Sequence, residues 1–379
     1  MLVGENAQGK TSLMEAVYYL SSFTSFQADN DRQLINFISS REPLAVARLV
    51  ADYYVGEESH HLEVRIIQEL NGFNSSPRLK KEILLDGVKR KIGEVVGCFK
   101  AVLFLPQMLD VVVGSPEDRR RFINLALAQI IPRYTTALLD YNTALTQRNA
   151  LLKQLAERGG DPAQLNYWDE QLSISGALLI YSRIQAIQEL DRIAAPIHRE
   201  LTHGNEILRL SYDPSYDPMP IPEGQILLPV DAPIDRTSMM LDPIQHGFLE
   251  HLRNLHEEEI SRGVTTTGPH RDEIRFLSNG IDLGIYGSRG QVRTVMLALK
   301  LAEMYWMHGK CGYWPVLLLD EVLAELDYQR RRDLLSHVVS CKQVFLTTTD
   351  RDLFTSEFLD NAQIWAIKGG KIFTEVRRG

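Results

Sequence analysis

The chain has 379 residues, 44% of them hydrophobic and 24% charged, with a formal net charge of −8. That length suits a globular protein of about two domains, able to bury roughly three quarters of the surface its unfolded form exposes without disulfide or metal staples. The negative balance argues weakly against a uniformly basic nucleic-acid binder and leaves local patches open.

The first pattern comes almost at once. Gly4-Glu5-Asn6-Ala7-Gln8-Gly9-Lys10-Thr11 fits G-x-x-x-x-G-K-[ST], a loop whose backbone N–H groups cradle phosphate oxygens at a helix N-terminus. Met1-Leu2-Val3 reads as the stub of a buried strand. Ser12 to Phe23 reads as a helix with Leu13, Met14, Val17 and Leu20 on one face. Lys10 is placed to reach β- and γ-phosphates, and the Thr11 hydroxyl to ligand Mg²⁺. Such a loop normally follows a complete strand, so an upstream strand is expected to be missing before Met1.

From Ala45 the period changes to two. Segments 45–51, 61–67 and 82–87 read as strands of a small antiparallel sheet. Between Arg78 and Lys100, seven cations face three acids, a local net charge of +4. A phosphate-backbone contact surface and a merely solvated hairpin both account for it. Ala101 to Leu105 is an apolar strand ended by Pro106-Gln107. Ser115-Pro116-Glu117-Asp118 caps a helix that carries Arg119-Arg120-Arg121. Helical patterns at about 133–157 and 163–203, parted by Gly159-Gly160-Asp161-Pro162, predict a short coiled-coil-like hairpin. Its expected seam is Leu138, Leu145 and Leu152, with Tyr141 and Leu155.

Residues 211–236, rich in Pro and Asp, predict a surface excursion. A helix returns over Pro243 to Arg262. Val264-Thr265-Thr266-Thr267 is expected to be a β-branched strand, and Ile274 to Leu277 another, turning at Asn279-Gly280. Ser288-Arg289-Gly290-Gln291 opens a helix to about His308 and offers a second anion site, although S-x-G-Q alone is a weak motif. Pro315 to Leu319 is a hydrophobic strand ending in Asp320-Glu321. Strand burial explains the apolar run but not paired acids at its end; a helix cap would account for only one of them. Gln343 to Thr349 is one more buried strand, ending in hydroxyls and Asp350. Cys98, Cys311 and Cys341, widely spaced, predict free thiols in a reducing compartment. No apolar run approaches a membrane span, and no signal peptide is read.

In this order the features resemble the ABC-type ATPases. The run from Gly4 to Leu20, Val113 to Phe122, Gln147-Arg148-Asn149, Thr267 to Asp272, and Gly290 through Val322 together resemble the RecF family, relatives of the SMC and Rad50 ATPases. The resemblance implies an α/β fold, an ABC-type P-loop ATPase head with an antiparallel β subdomain (about 45–105) and an inserted helical lobe. The head would comprise 1–112 and 263–379, and the lobe 113–262. It places ATP on Gly4, Glu5, Asn6, Ala7, Gln8, Gly9, Lys10 and Thr11, Mg²⁺ on Thr11 and Asp320, and catalysis on Glu321 as base with Gln107. Ser288, Gly290 and Gln291 would touch the ATP of a second subunit, and Asp327 would lie in a loop crossing the dimer.

The family function implied is a cytoplasmic, ATP-dependent DNA-binding protein of recombinational gap repair and replication restart. It would dimerise on duplex DNA and gap junctions and reset by weak, DNA-stimulated ATP hydrolysis. RecR and RecO would be its partners in RecA loading and SOS induction. Lys80, Lys81, Lys89, Arg90, Lys91 and Arg119, Arg120, Arg121 form the candidate DNA surface. Three other classes share part of the pattern. A transporter energiser should couple to membrane helices, a P-loop kinase should lack the Ser288 loop and the Asp320-Glu321 pair, and a nucleotide-binding scaffold has no use for Glu321.

Overall fold

In the computed structural model, which describes residues 1–70, 78–220 and 234–374, the chain leaves its first unit after Met108 and returns to it at Met307. The outgoing stretch begins with β1 (Leu2–Val3) and α1 (Lys10–Ser22). Then come β2 (Leu44–Val55), β3 (Glu58–Glu69), β4 (Arg78–Leu85) and β5 (Val88–Arg90), antiparallel in the order β2-β3-β4-β5. Alternation sends Leu62, Val64, Ile66 and Ile83 to one face, where they pack on Tyr19, Leu20 and Phe23 from α1 and the residue after it. A short α2 (Ile92–Val95) leads into β6 (Ala101–Phe104).

The second unit, Leu109–Trp306, holds α3 (Asp110–Val113), α4 (Pro116–Ile130), α5 (Tyr134–Arg158) and α6 (Leu165–Leu201). The cap of α4 is the one expected: Ser115 and Asp118 bond each other's backbone N–H groups reciprocally, with Pro116 in the first turn. The seam of α5 differs from expectation. Its buried line is Tyr134, Ala137, Tyr141, Ala144, Arg148, Leu152 and Leu155, while Leu138 and Leu145 flank it half-buried.

Next follow β7 (Leu208–Asp213), α7 (Leu241–Asn254), α8 (His256–Arg262), β8 (Glu273–Ser278), β9 (Ile281–Asp282), α9 (Leu283–Tyr286) and α10 (Arg289–Cys311). Half of the expected excursion, 221–233, lies outside the described residues. Its flanks are tied together, because Arg236 donates to Asp217 and to the Tyr212 carbonyl. Val264 to Thr267 is not a strand. The N–H groups of Thr265 and Thr266 go to the side chains of Asn149 and Glu259, so no ladder partner is available to them. β7, β8 and β9 form a sheet turning at Asn279-Gly280, both at positive φ. Because β7 pairs with β8, the stretch after 263 stays in the second unit, and the boundary falls inside α10 instead of at 263.

The returning stretch adds β10 (Val316–Asp320), α11 (Tyr328–Val338), β11 (Val344–Thr348), α12 (Ser356–Asn361), β12 (Trp365–Lys368) and β13 (Lys371–Thr374). A sheet of order β13-β12-β1-β11-β10-β6 results, parallel except for β13. Leu2, Leu103 and Leu318 meet Met14 and Tyr18 of α1 in its core. Parallel strands buried this way read as continuous apolar runs, as 101–105 and 315–319 do.

Candidate functional site

Parallel strands deliver their carboxyl ends to one edge of the sheet, where open α/β folds bind ligands. At that edge β1 gives way to Gly4, β6 to Pro106-Gln107, β10 to Glu321 and β11 to Thr349-Asp350. The two loop glycines are needed for different reasons. Gly9 has φ 100°, a left-handed backbone, whereas a side chain on Gly4 would collide with the Ile367 carbonyl oxygen. The loop is also braced by a feature the sequence reading overlooked. The Gly369-Gly370 turn between β12 and β13 donates its N–H groups to the Gln8 side chain (2.7 Å) and the Gln8 carbonyl (3.0 Å).

Lys10 is only 5% exposed. Its ammonium donates to the Gly4 carbonyl at 2.6 Å and the Glu5 carbonyl at 3.1 Å, and pairs with a Glu321 carboxylate oxygen at 3.0 Å. Asp320 is buried beside it in sequence, and the Thr347 hydroxyl donates to its Oδ1 at 2.6 Å. The same hydroxyl accepts the Glu321 N–H at 2.9 Å. Glu321 has φ 54° and ψ 14°. A non-glycine residue held there costs on the order of 1–3 kcal/mol. Gln107 is exposed on the 3-10 turn Pro106–Leu109.

Among the described residues no three His, Cys, Asp or Glu side chains gather into a metal cage. Mg²⁺ needs none, since it takes one or two protein oxygens and fills its shell with water and substrate phosphates. The Thr11 hydroxyl and the Asp320 carboxylate are the donor set it favours.

Ser288, Gly290 and Gln291 belong to the second unit. Ser288 and Gln291 form a reciprocal cap on α10: the Ser288 N–H donates to Gln291 Oε1 at 3.0 Å, and the Gln291 N–H to Ser288 Oγ at 3.3 Å. Capping alone explains those two residues. It leaves Gly290 unexplained, because a side chain there would meet open space. Asp327 caps α11 in the first unit. The Arg330 N–H and guanidinium bond its carboxyl and hold it below the usual carboxylate range.

The candidate DNA cations divide. Lys80 and Lys89 share one sheet face and both pair with Glu82, which they hold down to about 2. Arg48 and Arg65, not picked out from sequence, flank Glu63 on that same face. Arg90 and Lys91 are exposed. Lys81 points to the other face, pairing with Asp31 at 2.7 Å and donating to the Phe23 carbonyl. In the second unit Arg119 pairs with Glu273 at 2.6 Å, and Arg120 donates to the Asp272 carbonyl at 2.8 Å. Those two therefore have partners within their own unit, as Lys80 and Lys89 do within theirs, while Arg121 is exposed.

The second unit also buries polar clusters built on two of the sequence motifs. Arg148 pairs with Asp169 at 2.8 Å and Glu259 at 2.5 Å, and all three are fully buried. Arg183 pairs with Asp272 at 2.7 Å, and Asp272 also accepts the Tyr212 hydroxyl and the Ser215 N–H. His270 accepts from or donates to Tyr141 at 2.7 Å, and burial lowers it to about 4.

The family model described as RecF/RecN/SMC N terminal domain matches residues 1–367. The chain is similar to the DNA replication and repair protein RecF of Enterococcus faecalis, at 34% identity over 98% of this chain and 92% of the relative. It is 36% identical to that of Bacillus cytotoxicus over 100% of this chain and 93% of the relative. A solved structure described as the recombination mediator protein RecF-ATPrS in the RecFOR pathway superposes with TM-score 0.78 at 28% identity, covering 99% of this chain and 91% of that one. No helix among the described residues is long and apolar enough to cross a membrane.

Proposed function

The chain belongs to the RecF family, and from that premise we propose that it is an ATP-driven DNA clamp of recombinational gap repair and replication restart. The observation that carries the reading is the ion pair between Lys10 and Glu321, the residue after Asp320, at the carboxyl edge of the parallel sheet. The solved relative described with ATPrS supports the same ligand class.

Backbone N–H groups of Gly4 to Thr11 and the Lys10 ammonium bind the β- and γ-phosphates. Thr11 and Asp320 would hold Mg²⁺, which supplies charge neutralisation at the phosphate oxygens. Glu321 takes a proton from water as the water oxygen bonds to the γ-phosphorus and the bond to the ADP oxygen breaks. Gln107 helps to place that water. Turnover is weak and rises with DNA.

Ser288, Gly290 and Gln291 of a second copy close over the γ-phosphate, and Asp327 lies where the two copies cross. ATP thus joins two subunits around duplex DNA at a gap junction, and hydrolysis releases them. The face bearing Lys80, Lys89, Arg48 and Arg65, with Arg90 and Lys91 at its rim, meets the phosphate backbone. RecR and RecO are the partners this reading implies, with RecA loading and SOS induction downstream.

Sedimentation of the protein with ATP, with ADP and with gapped duplex tests the proposal. A dimer is expected with ATP only. Ser288→Arg should bind ATP yet stay monomeric, and a normal ATP dimer of that variant would remove the two-copy site.

A further inference from the structure

The Thr347 hydroxyl makes the bridge already described between the two acids at the end of β10. It donates to Asp320 Oδ1 at 2.6 Å and accepts the Glu321 N–H at 2.9 Å. A hydroxyl has one proton to give, so donation to the carboxylate fixes its direction. The result is a one-way chain from Glu321 N–H through Thr347 to Asp320. Register creates it, because Asp320 and Thr347 are Cα partners on neighbouring parallel strands. Thr347 is 2% exposed, which shields the bridge from water. β-Branching suits any strand residue, but strand propensity would be met equally by Val. What the hydroxyl adds is a hold on two acids at once.

We infer that Thr347 is a positioning residue: it presents Asp320 to the cation and fixes the left-handed Glu321 backbone so that the carboxylate faces the water to be activated. The inference rests on the reading of Asp320 and Glu321 given above. With Oδ1 taken by Thr347, Oδ2 is the Asp320 oxygen left for the cation. The Glu321 peptide, at φ 54°, has the Thr347 hydroxyl as the partner of its N–H. Removing the hydroxyl loosens both acids together, because the same group holds the Asp320 carboxylate and the Glu321 N–H. Outer-shell partners of this kind change metal affinity or activity by about 10–100-fold when removed.

The test is Thr347→Val, which keeps shape and branching, beside Thr347→Ser, which keeps the hydroxyl. The primary readout is ADP binding with and without Mg²⁺. For Thr347→Val the tightening that Mg²⁺ confers should shrink by about tenfold or more, with binding in EDTA unchanged. Its kcat for ATP should fall by a similar factor with KM little altered. Thr347→Ser should restore both.

A purely structural role would lower Tm and leave the Mg²⁺ effect as it was, and that outcome overturns the inference. So would a Val variant that matches the parent in both assays. If Thr347→Val does not fold, Thr347→Cys carries the comparison with Ser, since a thiol is a poor donor. Glu321→Gln run alongside separates the two levels. If that variant hydrolyses ATP normally, the catalytic reading itself fails. If it is inactive while Thr347→Val behaves like the parent, only the role of Thr347 falls.

Discussion

Lys10 in the first unit and Arg148 in the second are both cations shut away from water, yet they keep different company. Arg148 faces Asp169 and Glu259, both fully buried, and their remaining oxygens are taken by His256 and by Thr266. Lys10 faces one carboxylate that is 28% exposed, on a residue whose backbone is strained. In the first arrangement every carboxylate oxygen is engaged inside the unit, and the one Arg148 nitrogen without a partner is buried. The second is open on one side, where its partner meets solvent. The contrast separates a charge network enclosed by protein from an ion pair that meets solvent, and ion-pair distance alone would not have done so.

The sharpest way to break that contrast is Arg148→Met. It leaves two buried carboxylates without their cation, so about 3–5 kcal/mol of stability should be lost in urea unfolding. ATP binding by whatever remains folded should be unaffected. A loss under about 1 kcal/mol would show the network to be ornamental.

Acid is the next largest lever on the same unit. Burial lowers His270 to about 4 from an ordinary 6.5. The unfolded chain therefore binds the proton more readily than the folded one between those two values. Stability is full above about pH 6.5 and falls as pH drops toward 4, by up to about 3 kcal/mol. The ring geometry agrees with a neutral imidazole, whose Nδ1 accepts from Tyr141 and whose Nε2 donates to the Thr265 carbonyl. Urea unfolding of the parent and His270→Asn at pH 7 and pH 5 checks this, and an equal pH slope in both would assign the effect elsewhere.

Smallest in stability is Lys10→Met. Its carboxylate partner is partly solvated and can rehydrate, so the loss should fall well below that of Arg148→Met, while ATP binding should vanish. The comparison predicts opposite rankings for stability and for binding. A Lys10→Met protein that unfolds as readily as Arg148→Met would erase the distinction.

What could be read from the sequence follows how local each feature is. The Gly4–Thr11 loop and Asp320-Glu321 are legible because their chemistry lies in adjacent residues. Thr347 is not, since its two partners are brought to it by strand register. The α5 seam went to the leucines because apolar weight favours Leu138 and Leu145 over Ala137, Ala144 and a buried arginine. Arg148 belongs there only because Asp169, Glu259 and Thr265 converge on it from elsewhere in the chain. Residues 264–267 have the branching of a strand, but side-chain acceptors take the N–H groups of Thr265 and Thr266. Lys80 and Lys81 differ by one position, and a pleat of period two turns them to opposite faces.

The ion pair between Lys10 and Glu321 also sets a threshold for whatever enters. The residue read as the water-activating base is the one that keeps the loop's lysine neutralised. A small anion of single charge offers Lys10 little that the carboxylate does not already give. On that reading a polyphosphate, gripping the loop amides and the lysine together, would be the better partner and would release Glu321 as it docks. The same reading would couple occupancy to readiness for chemistry through one exchange of counter-ions at Lys10.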